Sequence, residues 1–364
     1  MPPPEPAVDV DVVVIGAGQA GLATGFYLTR RTSLSFVLLE ADPGPGGAWR
    51  HMWASLRAFS PAAYSSLPGW PMPPTAGYPT RDEVVTYLGA YADRYALPVH
   101  RPVRVTAVHR DGARLGVTTD NGTWSARAVV SATGTWARPF WPHPRGQGTF
   151  PGRQLHAADY DCPAPFAGQR VGVVGGGNSA AQIVADLHPA AETTWYLRRP
   201  PRFLPDDVDG RALFDLATAR WRARQAGRPD PGGVGGLGDI VVTGPVRAAR
   251  DRGALTPRPM FSRLAAGGAV GPDGREHRLD AVIWCTGFRP ALDHLRPLGL
   301  REATGLIGVA GTRAVAEPRL WLVGYGDWTG DASATLVGVG RTARDTVTEL
   351  AGALGHRPPS RAER

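Results

Sequence analysis

The sequence contains no lysine, and this absence excludes several kinds of chemistry. All 40 basic side chains are arginines, against 32 acidic ones in 364 residues. Without lysine, no side-chain amine can form a Schiff base and no P-loop lysine can bind a phosphate. The arginines are spread along the chain without a basic tract. The net charge of +8 therefore predicts an arginine-rich surface that attracts anionic cofactors, and no nucleic-acid partner.

Cysteines and long apolar runs are also scarce. Only Cys162 and Cys285 are present, and their separation of 123 residues supports neither a disulfide framework nor a cysteine-based metal site. We predict no metal. No apolar run approaches the roughly 18 residues of a membrane span, and the N-terminal residues do not have the pattern of a signal peptide. We therefore expect a cytoplasmic protein with no membrane partner; a homodimer is compatible with the sequence.

A glycine-rich motif follows the first apolar segment. Residues 10–15, all β-branched except Asp11, predict a buried parallel strand, and the motif G-A-G-Q-A-G at 16–21 opens a predicted helix. Gly16 allows the tight turn, Gly18 lets the backbone approach a pyrophosphate, and Gly21 permits close packing of helix on strand. The start of the helix favours negative charge. The motif therefore predicts a dinucleotide site.

The residue at the end of the next predicted strand selects among dinucleotides. That strand covers residues 36–40 and ends in Glu40. A carboxylate in this place accepts hydrogen bonds from the ribose hydroxyls and repels a 2′-phosphate. The first site is therefore suited to FAD or NAD and not to NADP.

A second unit of the same kind follows, with its first turn glycine 159 residues after that of the first unit. The turn G-G-G-N-S-A at 175–180 lies between a predicted strand at 171–174 and a predicted helix. The next strand ends at Arg198 and Arg199, in the place that Glu40 occupies in the first unit. Guanidinium groups bind phosphates well, which favours NADPH here, with NADH as a weaker coenzyme. The alternative is that both arginines are solvated surface residues.

The rest of the pattern predicts alternating helices and strands. Predicted helices cover 81–96, 211–226 and 334–354, and predicted strands cover 103–109, 126–132, 281–284 and 320–323. The chain is therefore expected to have an α/β fold.

Several further segments resemble a known family. Residues 150–160 read F-x-G-x-x-x-H-x-x-x-Y, from Phe150 through Gly152 and His156 to Tyr160. The other segments are G-G-A-W at 46–49, A-T-G at 132–134, C-T-G at 285–287 and L-W-L-V-G-Y-G-D at 320–327. With these motifs the chain resembles the flavin-containing monooxygenases over about residues 9–354. The final tyrosine of the signature replaces the tryptophan of the related Baeyer–Villiger enzymes.

The resemblance implies a domain organisation. It implies two Rossmann-like dinucleotide-binding domains, with the NAD(P) domain inserted into the FAD domain. The expected FAD-binding domain is discontinuous, at 1–164 and 280–364, and the NAD(P)H-binding domain covers 165–279. The linkers at 131–135 and 285–288 would form a hinge.

The turns and the resemblance together give two sets of cofactor residues. The predicted FAD-binding residues are Gly16, Gly18, Gln19, Ala20, Gly21, Glu40, Gly47, Ala48, Trp49 and Asp327. The predicted NADP-binding residues are Gly175, Gly177, Asn178, Ser179, Arg198 and Arg199.

Two other residues receive roles from the resemblance. The family has an asparagine above the flavin, but no asparagine precedes Asp120 in this chain. Counting back from Leu67 places Phe59 there or nearby, so we predict Phe59 in the flavin-face pocket. For His156 we favour a hinge role beside the nicotinamide over proton transfer.

The resemblance also implies a reaction. NADPH reduces the flavin, O₂ adds to give a C4a-hydroperoxyflavin, and a soft nucleophile such as a sulfide or an amine takes one oxygen atom. The expected partners are thus a small-molecule substrate and O₂. A Baeyer–Villiger monooxygenase acting on ketones and a non-catalytic FAD- and NADP-binding accessory protein remain as alternatives. A disulfide reductase of the thioredoxin-reductase type needs a cysteine pair that the sequence lacks.

Overall fold

The chain forms two compact units. The structure, a computed structural model, describes residues 7–206, 208, 210–228, 239–330 and 332–356. Unit 1 consists of Met1–Arg50, Ala62–Ala137 and Pro290–Arg364, and unit 2 consists of His51–Pro61 and Arg138–Arg289. The backbone therefore passes between the units four times.

The described residues contain six α-helices and seventeen strands, with seven short 3-10 helices in the connections. The first part of unit 1 contains β1 (Val8–Ile15), α1 (Gln19–Arg31), β2 (Phe36–Leu39), α2 (Arg81–Arg94), β3 (Val99–His100), β4 (Val105–Asp111), β5 (Arg114–Thr119) and β6 (Gly122–Ser131). Unit 2 contains β7 (Arg153–His156), β8 (Arg170–Val174), α3 (Asn178–Leu187), β9 (Glu192–Leu197), α4 (Gly210–Gln225), α5 (Gly244–Asp251), β10 (Pro257–Pro259), β11 (Arg263–Ala265), β12 (Gly268–Val270), β13 (Glu276–Arg278) and β14 (Ala281–Trp284). The chain then returns to unit 1 with β15 (Val309–Ala310), β16 (Arg313–Ala314), β17 (Leu320–Leu322) and α6 (Leu336–Ala353).

Unit 1 is built on a sheet whose centre is parallel. Strand β1 lies between β6 and β2, so that Val12 pairs with both Ala128 and Phe36. Side chains of β1 alternate between two cores: Val12 and Val14 pack with α1 and α6, while Val13 and Ile15 pack on the opposite face. Burial on both faces explains why the second half of β1, residues 12–15, is an uninterrupted apolar run, whereas its partly exposed first half alternates valine with aspartate.

The helix α2 begins where the sequence supplies a capping box. The Thr80 hydroxyl accepts a bond from the Glu83 N–H at 3.2 Å, and the Glu83 carboxylate accepts one from the Thr80 N–H at 2.7 Å. These reciprocal bonds satisfy backbone groups that the first turn of a helix leaves unpaired. The apolar side of α2, including Val84, Leu88 and Tyr91, is fully buried in unit 1.

Unit 2 is built on a second, wholly parallel sheet of order β10-β9-β8-β14-β7. A separate antiparallel meander of β11, β12 and β13 supplies Leu264 and Ala269 to the core that contains Tyr196 and Trp284. Parallel strands place their carboxyl ends at one edge, which is where the turns following β8 and β9 lie. The predicted α/β class with two Rossmann-like domains is confirmed.

The unit boundaries differ from those that the sequence predicts at 164/165 and 279/280. Strand β14 pairs in parallel with both β7 and β8, because Ile283 lies opposite Leu155 and Val173. Residues 138–164 and 280–289 therefore belong to unit 2.

No helix in the described part of the chain is long and apolar enough to cross a membrane.

Candidate dinucleotide sites

The first glycine turn joins β1 to α1, and two of its glycines are required by the fold itself. Gly16 has φ of +99°, and a Cβ there would lie 2.8 Å from the Ala132 carbonyl oxygen. A Cβ at Gly21 would overlap the Gly16 carbonyl. A side chain at either position would strain the backbone or separate α1 from the sheet.

The fold itself does not require a glycine at the middle position of either turn. Gly18 has φ of −74°, and a Cβ there would meet only the Gly47 Cα, at the ordinary distance of 3.6 Å. The equivalent Gly177 has φ of −108° and no atom within 4 Å of a Cβ. Both residues precede helices whose N-termini have neither a side-chain cap nor an acidic residue in the first turn. The free space beside two uncapped helix N-termini fits a bound pyrophosphate.

Gln19 joins two of the predicted FAD-binding segments in unit 1, the first glycine turn and G-G-A-W, to the start of α6. Its side-chain amide donates to the Ala334 carbonyl at 2.6 Å, just before α6, and its oxygen accepts the Trp49 indole N–H at 3.1 Å. The backbone at Gly47 approaches Gly18 closely, since a Cβ at Gly47 would lie 2.7 Å from the Gly18 Cα. The structure thus brings the G-G-A-W segment to the first glycine turn. Ala48 is exposed beside Trp49.

The loop after β17 also reaches this turn. Gly324 has φ of +89°, and a Cβ there would lie 2.6 Å from the Ala20 Cβ. Three residues further on, Asp327 is exposed at the start of a short 3-10 helix, Asp327–Thr329. The predicted FAD residue Asp327 is therefore carried by a loop that packs on α1.

Glu40 closes the first turn from the end of β2. One carboxylate oxygen accepts the Ala17 N–H at 2.7 Å and the other accepts the Asp42 N–H at 3.0 Å. The residue is only 8% exposed. These bonds fix the carboxylate at the carboxyl edge of the sheet while leaving lone pairs free to accept further hydrogen bonds.

The second turn, between β8 and α3, is held by a residue that the sequence analysis missed. The buried indole of Trp195 donates its N–H to the Gly175 carbonyl at 2.7 Å. Gly175 itself has φ of +143°, and a Cβ there would overlap the Cys285 carbonyl. The apolar end of β9 would have revealed only that Trp195 is buried, because the sequence pattern does not show which carbonyl its N–H reaches.

The side chain of Asn178 forms hydrogen bonds to the backbone of another segment. Its amide nitrogen donates to the Asp239 carbonyl at 3.0 Å, and its oxygen accepts the Val241 N–H at 2.9 Å. The residue therefore holds the segment before α5 against the second turn. The neighbouring Ser179 lies in the first turn of α3.

Arg198 and Arg199 immediately follow β9 and are exposed. Among the residues that the structure describes, neither forms an ion pair or a side-chain hydrogen bond. Their guanidinium groups are therefore available to an anion. The two strand ends thus differ in charge, with a buried carboxylate at Glu40 and two exposed cations at Arg198 and Arg199.

His156 of the signature segment is fully buried and bonded to backbone at both ring nitrogens. Its Nδ1 accepts the Ala158 N–H at 3.1 Å, so the proton must be on Nε2, which lies 3.1 Å from the Gly287 carbonyl oxygen. Burial lowers the pKa of His156 and outweighs the bond to Gly287, which raises it. The ring is therefore a neutral crosslink to the predicted linker 285–288, and its place beside the nicotinamide stays a prediction.

The other signature residues have structural roles in unit 2. Phe150 is buried in the core, and a Cβ at Gly152 would lie 2.5 Å from the Asp280 carbonyl. Tyr160 donates its hydroxyl to Asp186 of α3 at 2.7 Å. The signature residues therefore pack β7 against the sheet of unit 2 and bond this segment to α3, the helix that follows the second glycine turn.

Phe59 lies in unit 2, together with the second turn. Its half-buried ring packs with Leu204 and Val241, and its carbonyl accepts the Gly210 N–H at 3.0 Å. Phe59 is thus assigned to unit 2, whereas the predicted FAD residues are assigned to unit 1. Its predicted position at the flavin face stays a prediction.

A buried polar chain in unit 1 was also missed by the sequence analysis. The Tyr325 hydroxyl lies 2.6 Å from the Ser131 hydroxyl and 2.7 Å from that of Thr133, and Ser131 lies 3.0 Å from His294 Nε2. Burial lowers the pKa of His294 to about 4. Thr133 also donates to the Ala291 carbonyl at 2.7 Å, so the chain fixes the predicted linker at 131–135.

The cysteines offer no redox pair in the structure. Cys162 and Cys285 are both free thiols. Burial raises the pKa of Cys285, which keeps this thiol protonated and unreactive. In the described part of the chain, no cluster of His, Cys, Asp or Glu has an arrangement that could hold a metal ion.

Comparisons with known proteins agree with two dinucleotide sites on one chain. A family model described as pyridine nucleotide-disulphide oxidoreductase matches residues 13–208. The chain is 30% identical over 318 residues to a Geobacillus kaustophilus protein named "uncharacterized oxidoreductase CzcO-like", covering 82% of this chain and 89% of the relative. It is 29% identical over 369 residues to a Baeyer–Villiger monooxygenase of Streptomyces coelicolor, covering 85% and 68% of the two chains.

A solved structure gives a more specific match than these two relatives. The flavin-containing monooxygenase from Stenotrophomonas maltophilia is 50% identical and superposes with a TM-score of 0.87, covering 95% of this chain and 99% of that one. An identity of 50% over nearly the full length of both chains indicates membership of the same family, and not only the same fold. The chain therefore belongs to the flavin-containing monooxygenase family and is an NAD(P)H-dependent flavin monooxygenase.

Proposed function

We propose that unit 1 binds FAD, that unit 2 binds NADPH, and that the enzyme oxygenates soft nucleophiles such as sulfides and amines. One observation carries the proposal. The two glycine turns end in opposite charges, with buried Glu40 at the first and exposed Arg198 and Arg199 at the second. One site rejects a 2′-phosphate and the other attracts it, as a flavin and its NADPH reductant require.

In unit 1 the residues already present are suited to FAD. The space beside Gly18 would take the pyrophosphate at the N-terminus of α1. Glu40 would accept the ribose hydroxyls with the lone pairs that Ala17 and Asp42 leave free. Gln19 would hold the Trp49 and α6 segments around the cofactor.

In unit 2 the second turn would take the coenzyme pyrophosphate beside Gly177. Arg198 and Arg199 would form charge-assisted bonds to the 2′-phosphate, which NADH lacks. Asn178 would act indirectly, because its side chain is committed to the backbone of residues 239 and 241.

The flavin, when bound, supplies the redox and oxygen chemistry, and the protein supplies binding, orientation and exclusion of water. His156 would not transfer a proton in this reaction, because both of its ring nitrogens are bonded to backbone. A soft nucleophile is the substrate class that reacts with an electrophilic oxygen without an activating side chain.

A second candidate reaction is Baeyer–Villiger oxidation of ketones. The observation that favours it is the 29% identity to the Streptomyces coelicolor relative that carries this name. The same two cofactor sites would serve both reactions, so only the identity of the substrate distinguishes the two candidate functions.

The test is a product analysis of the purified protein with NADPH, O₂ and a panel of sulfides, amines and ketones, with H₂O₂ measured in parallel. We expect sulfoxide or N-oxide as the main oxygenated product. Lactones or esters from ketones, with sulfides untouched, would instead establish the second candidate. Consumption of NADPH with H₂O₂ as the only product from every substrate would refute both.

A further inference from the structure

One short segment lies in a different compact unit from its neighbours along the chain. Residues 51–61, which we call the strap, belong to unit 2, while the residues on either side belong to unit 1. The strap contains Phe59. Its two ends are attached to unit 2 by different contacts.

The first end of the strap is attached to the signature segment. The Ala54 N–H donates to the Asp161 carbonyl at 3.1 Å, and buried Trp53 meets the Tyr160 ring edge-on, with centroids 6.3 Å apart. Tyr160 is in turn bonded to Asp186 of α3. This end is therefore connected to the helix that begins at the second glycine turn.

The second end of the strap contacts the first residue of α4. The Gly210 N–H donates to the Phe59 carbonyl at 3.0 Å. A Cβ on Gly210 would lie 2.6 Å from that carbonyl oxygen and 2.7 Å from the Ser60 Cβ. Backbone atoms cannot move aside as a flexible side chain can, so any side chain at position 210 displaces this end of the strap.

Phe59 is also connected to the second turn through a short relay. Its ring packs with Val241, and the Val241 N–H is bonded to the side chain of Asn178 at 2.9 Å. Asn178 directly follows Gly177, the glycine beside the free space of the turn. A ligand that orders the turn therefore also orders the surface on which Phe59 rests.

We propose that the strap and the second dinucleotide site are coupled: coenzyme binding stabilises the seated strap, and Gly210 is a positioning residue that acts through Phe59. This rests on the proposed function, in which unit 2 binds NADPH. Linkage requires the effect to be reciprocal, so unseating the strap must weaken coenzyme binding by the same factor.

The first test uses the unmodified, FAD-loaded protein. Hydrogen exchange of the strap amides is measured with and without saturating NADP⁺. We expect exchange within residues 53–60 to slow by about fivefold or more when NADP⁺ is bound, in the range of typical coupling energies. Binding of NADP⁺ with unchanged exchange in the strap would overturn the coupling and leave the proposed function intact.

The second test is a double-mutant cycle on the dissociation constant for NADP⁺. Gly210→Ala and Phe59→Ala, each measured in FAD-loaded protein, are expected to raise it about fivefold or more. The double variant should bind like either single variant, because Gly210→Ala is expected to act only by displacing the ring that Phe59→Ala removes. Gly244→Ala is the control, since a Cβ there meets nothing within 4 Å.

Two outcomes of the cycle would contradict the inference. Additive effects would show that Gly210 acts without Phe59. Equal weakening by Gly244→Ala would show a general loss of stability in unit 2. Failure of the unmodified protein to bind NADP⁺ at all would instead refute the proposed function, and the coupling with it.

Discussion

The carboxylate of Glu40 accepts the backbone N–H of Ala17 at 2.7 Å, so the end of β2 holds the first glycine turn in place. The same carboxylate is proposed to hold the ribose of FAD. We expect Glu40→Gln to weaken FAD binding by about tenfold, since one charge-assisted hydrogen bond contributes roughly 1.5–3 kcal/mol. Titration of the apoprotein with FAD measures this, and an unchanged dissociation constant would remove Glu40 from the site.

The two middle glycines provide a matched pair of variants. Gly18→Val should abolish FAD binding, and Gly177→Val should abolish NADP⁺ binding with FAD retained. Both residues have backbone angles open to other side chains, so the fold should tolerate the changes. Bound flavin is read from absorbance and NADP⁺ affinity from calorimetry. A folded Gly18→Val protein that keeps its FAD would contradict the assignment of the first site.

Coenzyme preference should follow the arginines after β9. We expect kcat/KM to favour NADPH over NADH by about ten- to a hundredfold, from charge-assisted bonds to the 2′-phosphate. Replacing Arg198 and Arg199 together by Gln should nearly abolish the preference and leave NADH use almost unchanged. Equal use of both coenzymes by the unmodified protein would show that neither side chain reaches the phosphate.

Phe59 should control how NADPH consumption divides between product and H₂O₂. A phenyl ring excludes water but cannot form the hydrogen bond that an asparagine would offer. We expect sulfoxidation with a substantial share of the electrons lost as H₂O₂. Phe59→Asn should alter that share, and Phe59→Ala should raise it by admitting water. A ratio identical in all three proteins would place Phe59 away from the reacting atoms.

The buried His294 should make the fold sensitive to acid. Burial lowers its pKa from the usual 6.5 to about 4. Between these two pH values, His294 is therefore protonated in the unfolded chain but neutral in the folded protein. Its contribution to stability is present above pH 6.5 and is lost as pH falls toward 4, by at most about 1.4 kcal/mol per pH unit. Denaturant titrations of His294→Gln should show a shallower pH dependence over this window. Parallel curves for both proteins would contradict the assignment.

The local elements of both dinucleotide-binding folds were predictable from the sequence. The strand predicted at 281–284 is observed as Ala281–Trp284, and the helix predicted at 81–96 is observed as Arg81–Arg94. Apolar runs and a capping box specify such elements through neighbouring residues alone. The short meander of β11, β12 and β13 was not predicted, because strands of three residues have too little periodicity to detect.

The sequence alone determined the two glycine turns and the opposite charges at the ends of their neighbouring strands, because turn geometry and strand ends depend on residues close together in the chain. Only the tertiary structure decided that residues 51–61 and 138–164 belong to unit 2. It also revealed the His294–Ser131–Tyr325 chain and showed that Asn178 holds Val241. These features depend on pairing and packing between residues far apart in the chain, and such contacts have no local pattern.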